Sequence, residues 1–243
     1  MNLKGKTALV TGGAKRVGQA IALALAQNGA NILLHFNTSK NEALETASKI
    51  KAFGVTCGLF QADLSKSGDI KRLTKEIYGK HSSVDILVNS ASLFYKTPFE
   101  KVKESDWDTL MGTNLKGPFL LSQAIGTKMF EGEGGKIINI ADWSGNRPYR
   151  DYSPYCVSKG GLLTLTKALA RDLAPKVYSN AIAPGPVLFP PDFSEEEKQK
   201  VIQKTLLRRA GSPQDIASAV LFLLDNDFVN GTVLVVDGGR SIV

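Results

Sequence analysis

Tyr155 and Lys159 stand four residues apart, at the start of a stretch whose positions Leu162, Leu163, Thr166 and Leu169 recur at helical spacing. That spacing puts both side chains on one helix face, one turn apart. A phenol ordinarily titrates at about 10, so it exchanges protons poorly at neutral pH until a neighbour favours its anion. An ammonium one turn away would do that, and its N–H donors could also hold a ribose. An amphipathic tyrosine beside a solvated lysine would show the same spacing, so the pair needs company before it means chemistry. Asn114 is one such companion. It interrupts the apolar stripe Trp107, Leu110, Met111, Leu115, and Pro118 follows four residues later. Proline has no N–H to give the carbonyl of residue 114, which predicts a kink with a free backbone acceptor able to hold water. A kink made only for packing reads the same way.

A second constellation lies at the other end of the chain. The run Thr11-Gly12-Gly13-Ala14-Lys15-Arg16-Val17-Gly18 follows an apolar strand and opens a helix. Glycines there let the backbone approach a pyrophosphate, whose charge the helix N-terminus stabilises. A tight turn without a ligand is the plainer reading. The end of the next strand reads His35-Phe36-Asn37-Thr38-Ser39-Lys40, with no acid before Glu42. A carboxylate at that corner would repel a 2′-phosphate, whereas amide, hydroxyl and the cations Lys15, Arg16 and Lys40 would accept it. The expected cofactor is therefore NADP(H).

These groups need a frame. Apolar runs at Thr7–Thr11, Asn31–Phe36, Thr56–Gln61, Val84–Asn89, Lys136–Ala141, Val177–Ala183 and Thr232–Val236 alternate with helical patterns. Near-continuous apolar strands are those of a parallel sheet covered on both faces. One helix carries Val17, Ala20, Ile21, Ala24 and Leu25 on a stripe and stops at Asn28-Gly29; another starts behind Ser212-Pro213. The expectation is an α/β fold: a Rossmann-like, doubly wound parallel sheet of about seven strands in three αβα layers, one domain over residues 1–243. The Pro-rich, then charged segment Leu188–Leu207 breaks the rhythm and is expected to cover a ligand.

Composition narrows the function further. In 243 residues there are only two cysteines, Cys57 and Cys156, and two histidines, His35 and His81, too few for a disulfide framework or a His/Cys metal site. The longest apolar run, Ile216–Leu224, is about half of a membrane span, and MNLKGKTALV lacks the apolar stretch of a secretory signal, so a cytoplasmic protein without membrane contact is expected. The net charge of +7 suits an anionic partner such as a phosphate-bearing cofactor or an acidic carrier protein. The basic residues are scattered and form no nucleic-acid module, so nucleic acid is not an expected partner.

With these residues together, the chain resembles the short-chain dehydrogenase/reductase family over nearly all its length. The resemblance rests on Thr11–Gly18, Asp63 after strand three, Asn89-Ser90-Ala91 after strand four, Asn114, Tyr155 with Lys159, Pro184-Gly185 and Val236-Asp237-Gly238-Gly239. It implies hydride transfer from a nicotinamide to a small substrate. Tyr155 would give the proton, Lys159 would bind the ribose and bias the phenol, and Asn114 would hold a water. It further implies that Gly12, Lys15, Arg16, Val17, Gly18, Asn37, Thr38, Ser39, Asp63, Leu64, Asn89, Ser90, Ala91, Pro184 and Gly185 line the cofactor, and that the protein forms a homotetramer or a dimer.

Two departures from the family pattern point at the substrate. Asp142 stands thirteen positions before Tyr155, where the family has a serine, and Arg16 replaces a glycine of the turn. An ionised carboxylate cannot donate to a ketone oxygen, so Asp142 suits a substrate rich in N–H donors, or acts protonated or through water. Both departures, and Ala91-Ser92-Leu93-Phe94-Tyr95-Lys96-Thr97-Pro98, are similar to the pteridine reductase-like branch. By that resemblance Phe94 stacks on a pterin, and Arg16, Phe94, Asp142 and Tyr155 meet the substrate. The leading expectation is an NADPH-dependent reductase of pterin- or dihydrofolate-like heterocycles. The alternatives are a 3-oxoacyl-carrier-protein-type or other carbonyl reductase, and a dinucleotide-binding sensor without turnover. Trp143–Asp151 matches nothing assignable.

Overall fold

Seven parallel strands form one sheet in the order β3-β2-β1-β4-β5-β6-β7. They are β1 Thr7–Val10, β2 Asn31–Phe36, β3 Cys57–Gln61, β4 Ile86–Asn89, β5 Gly135–Ile140, β6 Val177–Pro184 and β7 Val233–Val236. The coordinates are a computed structural model that describes residues 1–189 and 193–243; three residues of the expected covering segment, 190–192, lie outside the described residues.

Alternate strand residues feed two cores. Ala8, Val10, Ile32, Leu34, Ile86, Val88 and Ile138 pack with α1 (Arg16–Gln27), α2 (Lys40–Lys51) and α8 (Pro213–Asp225). Leu9, Leu33, Leu87 and Ile137 face the other way, onto α3 (Ser67–Lys80) and α5 (Gly117–Glu131). Helix α6 (Ser153–Asp172) covers that second face through Leu162 and Leu163 against Ala181. This period-two division between two helix layers is why the strands read as unbroken apolar runs rather than alternating ones.

The expected stops and starts fall where the chemistry put them. Helix α1 ends with Asn28 as C-cap, and Gly29 has φ +88°. Helix α8 begins at a reciprocal cap between Ser212 and Asp215.

Strands run outward from β1 to β3, and the chain then returns to place β4 on the other side of β1. The two loops leaving β1 and β4 therefore diverge, opening a crevice at the carboxyl ends of the strands. Thr11 joins its walls: its Oγ1 accepts from the N–H groups of Ser90 (2.9 Å) and Ala91 (3.0 Å), while its own N–H donates to Val88 O (2.9 Å).

Candidate active site

The glycine turn is set by close approach. Gly12 has φ +63°, and a Cβ there would lie 2.9 Å from Ala91 Cα; one on Gly18 would lie 2.2 Å from Gly12 O. Arg16 also sits in the left-handed region at φ +57°, which is the physical reason glycine is usual at that place. Its Nη2 donates to Leu188 O at 3.1 Å, so the side chain spans the mouth from the turn to the segment after β6.

His35 is buried beneath this turn. Gly12 N–H donates to its Nδ1 (3.2 Å), so Nε2 carries the proton and donates to Ala62 O (3.1 Å). Burial lowers its pKa from 6.5 to about 4, so the ring is a neutral brace between the turn and the end of β3. From sequence His35 reads as a contact to the cofactor edge or as a strand end; the signal that could have found the brace was a histidine inside an apolar strand.

Asn37, Thr38 and Ser39 follow β2 and lead into the N-terminus of α2, with Lys15 Nζ 3.9 Å from Glu42 Oε1 across the same corner. Asp63 accepts from Ser65 N–H (3.0 Å) and Ser65 Oγ (2.7 Å), bonds that hold its carboxyl below the ordinary range. Together with Gly12, Lys15, Arg16, Val17, Gly18, Leu64, Ser90, Ala91, Pro184 and Gly185 these residues line one cleft of about 810 Å³, which continues to Phe94, Asp142, Tyr155 and Lys159. Asn89 does not line it. Its Nδ2 donates to Asn139 Oδ1 (2.8 Å) and Ser122 Oγ (3.2 Å) inside the core, because a residue in β4 proper is covered by α5 while the loop after it is open.

At the far end, Lys159 is fully buried and donates to Ile140 O at 2.9 Å. Burial lowers its pKa to about 8, against the pull of Asp142. Tyr155 O–H donates to Asp142 Oδ2 at 2.8 Å, and Ser144 N–H donates to Asp142 Oδ1 at 2.7 Å. Asp142 thus caps the short 3₁₀ turn Trp143–Gly145 with one oxygen and holds the phenol with the other. Burial raises the carboxyl pKa, while the Ser144 and Tyr155 bonds act against it.

The resemblance implies that Lys159 biases the phenol toward its anion; burial and the nearer carboxylate act in the opposite direction. Burial, and then the charge of Asp142, push the Tyr155 pKa well above 10.

Asn114 is also placed differently from a simple kink. Between α4 (Glu104–Met111) and α5 the chain forms a π-helical turn over Gly112–Lys116, with Gly117 N–H donating to Gly112 O. The missing Pro118 donor thus falls beside a local widening of the helix. The Asn114 side chain is wholly engaged. Its Nδ2 donates to Leu93 O (3.0 Å) and Ser158 Oγ (3.2 Å), and its Oδ1 accepts from Leu93 N (2.8 Å) and Ser92 Oγ (3.3 Å). It clamps the loop after β4 to α6, behind the cleft rather than in its lining.

An aromatic wall completes the substrate end. The Phe94 ring stacks on Tyr152 (4.6 Å, 9°) and meets Tyr155 edge-on (4.8 Å, 77°). Thr97 N–H donates to Asp151 O (2.7 Å), tying the two aromatic segments together. Sequence reading found Phe94 but missed Tyr149 and Tyr152, whose partners lie far away in the chain. Phe189, Phe193 and Val201, on either side of the start of α7 (Glu195–Ile202), line the opposite rim. Among the described residues there is no cluster of His, Cys, Asp or Glu that could hold a metal and no helix long and apolar enough to cross a membrane.

A phosphate-sized turn on the switch point and a buried Tyr–Lys–Asp group at the adjoining strand end define a nucleotide-dependent oxidoreductase site on a doubly wound sheet. A family model described as enoyl-(acyl carrier protein) reductase matches residues 12–241. The chain belongs to the short-chain dehydrogenase/reductase family. It is 34% identical over 239 residues to the 3-oxoacyl-[acyl-carrier-protein] reductase of Staphylococcus epidermidis, covering 96% of this chain and 98% of that one. It is 33% identical to a (2S)-[(R)-hydroxy(phenyl)methyl]succinyl-CoA dehydrogenase subunit of Thauera aromatica, over 100% and 99% of the two chains. A blue fluorescent protein from a metagenomic library, solved in complex with NADPH, superposes with a TM-score of 0.92 at 33% identity, over 99% and 100% of the chains. The pteridine reductase-like resemblance finds no counterpart among these relatives, which act on acyl thioesters where their names specify a substrate.

Proposed function

We propose that this chain is an NADPH-dependent reductase of a C=O or C=N bond, with Tyr155 as the proton donor. The observation that carries it is the Tyr155 O–H held at 2.8 Å from the buried Asp142, beside a fully buried Lys159, at the end of a cleft that begins at the glycine turn. The residues fit the cofactor: Gly12 and Gly18 put no side chain at the two closest approaches of the turn, and Asn37, Thr38, Ser39 and Lys15 offer neutral or cationic groups to a 2′-phosphate. Bound there, the nicotinamide supplies the hydride. Tyr155 gives its proton to the substrate oxygen or nitrogen as hydride reaches the adjacent carbon, and Asp142 accepts a hydrogen bond from either the phenol or the substrate. Lys159 stabilises negative charge left on the phenol. Leu188, whose carbonyl accepts from Arg16, and Phe189, Phe193 and Val201 line the cleft from the chain after β6.

Two substrate classes follow from two observations. The relatives' names favour a 3-oxoacyl thioester, for which the +7 charge of the chain suits an acidic carrier protein. A carboxylate where the family has a serine, facing an aromatic wall, favours a planar heterocycle that donates N–H groups. The test is NADPH oxidation with acetoacetyl-CoA and with dihydrofolate, by the parent, Tyr155→Phe and Asp142→Ser proteins. Tyr155→Phe lowers kcat about 10³-fold on the true substrate while NADPH still binds. Asp142→Ser improves a thioester substrate and abolishes a heterocyclic one. Turnover of Tyr155→Phe at the parental rate overturns the reading.

A further inference from the structure

The stretch after Asp142, unassignable from sequence, docks on the C-terminal tail. The Arg240 guanidinium lies over the Trp143 ring, 4.7 Å from its centroid. In return, Arg147 Nη1 donates to the carbonyl oxygens of Ser241 (2.5 Å) and Val243 (2.7 Å). The tail is itself fixed: Asp237 accepts from Gly239 N–H (2.9 Å) and Ser241 N–H (2.6 Å), and Leu207 N–H donates to Gly238 O (3.1 Å). From Trp143, which is buried, contacts run on to the catalytic phenol. Trp143 meets Tyr149 edge-on at 5.2 Å, Tyr149 meets Phe94 at 6.4 Å, and Phe94 meets Tyr155 at 4.8 Å.

We propose that the tail, through Arg240 on Trp143 and through Arg147, is a positioning element for the aromatic wall, and that these two contacts set substrate fit rather than cofactor binding. This rests on the reading of the Phe94–Tyr155 end of the cleft as the substrate site. Arg240 and Ser241 lead to Trp143 and Arg147, while the tail's anchor Asp237 packs against Gly185 and the nucleotide corner at Asn37–Ser39 lies at the end of β2, on the far side of β1. Arg240 is a positioning residue. It supplies a delocalised cation that covers an indole face, which lysine replaces only in part and alanine not at all.

The experiment uses the full chain carrying Trp107→Phe, which leaves Trp143 as the only tryptophan. Arg240→Ala and Arg240→Lys are compared by acrylamide quenching of Trp143 emission, which needs no substrate. Arg240→Ala raises the quenching constant about threefold and Arg240→Lys falls between it and the parent. On whichever of acetoacetyl-CoA or dihydrofolate the parent reduces, Arg240→Ala raises the substrate KM about tenfold and changes the NADPH KM less than about twofold. Unchanged quenching, or equal shifts in both KM values, overturns the proposal. Raised quenching with an unchanged substrate KM also overturns it, because the wall is then insensitive to its strut. A parent inactive on both compounds strikes the substrate reading alone, and the quenching series still decides whether Arg240 holds Trp143.

Discussion

The nucleotide-facing half of the cleft, from Gly12 to Asp63, is shaped first by the backbone of its turn, whereas the substrate-facing half, from Phe94 through Tyr155 to Arg240, is built of side chains. In the first half the critical quantities are a left-handed φ at Gly12, a missing Cβ at Gly18 and the N–H groups of a turn. Each belongs to one short run of sequence, although Ala91 and His35 press on that run from outside it. In the second half they are ring separations of about 4.6–6.4 Å among Phe94, Tyr149, Tyr152 and Tyr155, and a cation on Trp143. Each of those joins segments tens of residues apart. Backbone sites tolerate little and recognise a constant group; side-chain sites can be rebuilt for a new substrate without moving the sheet.

The sharpest way to break this contrast is Gly18→Ala. A Cβ 2.2 Å from Gly12 O cannot be accommodated without moving the turn, since the obstacle is backbone. NADPH affinity falls at least about 100-fold, roughly 3 kcal/mol, by fluorescence titration. Near-UV circular dichroism of the aromatic half stays as in the parent. If the aromatic signal collapses as well, the two halves are one cooperative unit and the contrast fails.

Next in size is the pH response of His35, a side chain that serves the backbone half. The unfolded chain takes up its proton near 6.5, whereas the native ring does so only at about 4. Between those values the unfolded state binds more protons, so stability is complete above 6.5 and declines as pH falls through the window. Between pH 7 and pH 5 the loss is about 2 kcal/mol. His35→Gln, whose amide can still span Gly12 and Ala62 but cannot titrate, removes that slope in urea unfolding at the two pH values. A slope unchanged in the variant assigns the acid sensitivity to another group.

The same division explains what could be read beforehand. All seven strands were legible because each is an apolar run covered on both faces, and both chosen helix ends were legible because Gly29 and Ser212 carry their own cap chemistry. Tyr155 and Lys159 were legible because a helix fixes their relation over four residues. Asn89 was misplaced by its neighbours: Ser90 and Ala91 do line the cleft, but one residue earlier the chain is still inside the strand. For the protonation of Tyr155 the i+4 lysine is visible in sequence, while the depth of burial and the carboxylate at 2.8 Å, which push its pKa up, are tertiary facts. Tyr149, Tyr152 and Arg240 had no local signal at all. Their meaning comes from partners that only the finished fold supplies.

The smallest effect falls on Phe94 and discriminates most finely within the substrate half. Phe94 lines the cleft and is 41% exposed, although its neighbours Tyr152 and Tyr155 already engage its ring by stacking and edge contact. Replacement by leucine keeps an apolar side chain there but removes the flat face. A planar heterocycle loses the stacking increment, about 1 kcal/mol or roughly fivefold in kcat/KM. An acyl thioester, which meets the wall through aliphatic carbons, changes by less than about twofold, because leucine serves that contact as well. NADPH affinity should not move, since no ring of this cluster belongs to the glycine turn. A fivefold loss confined to dihydrofolate marks the wall as a reader of aromatic faces. Equal and small losses on both compounds reduce Phe94 to a spacer and give the thioester reading the stronger ground.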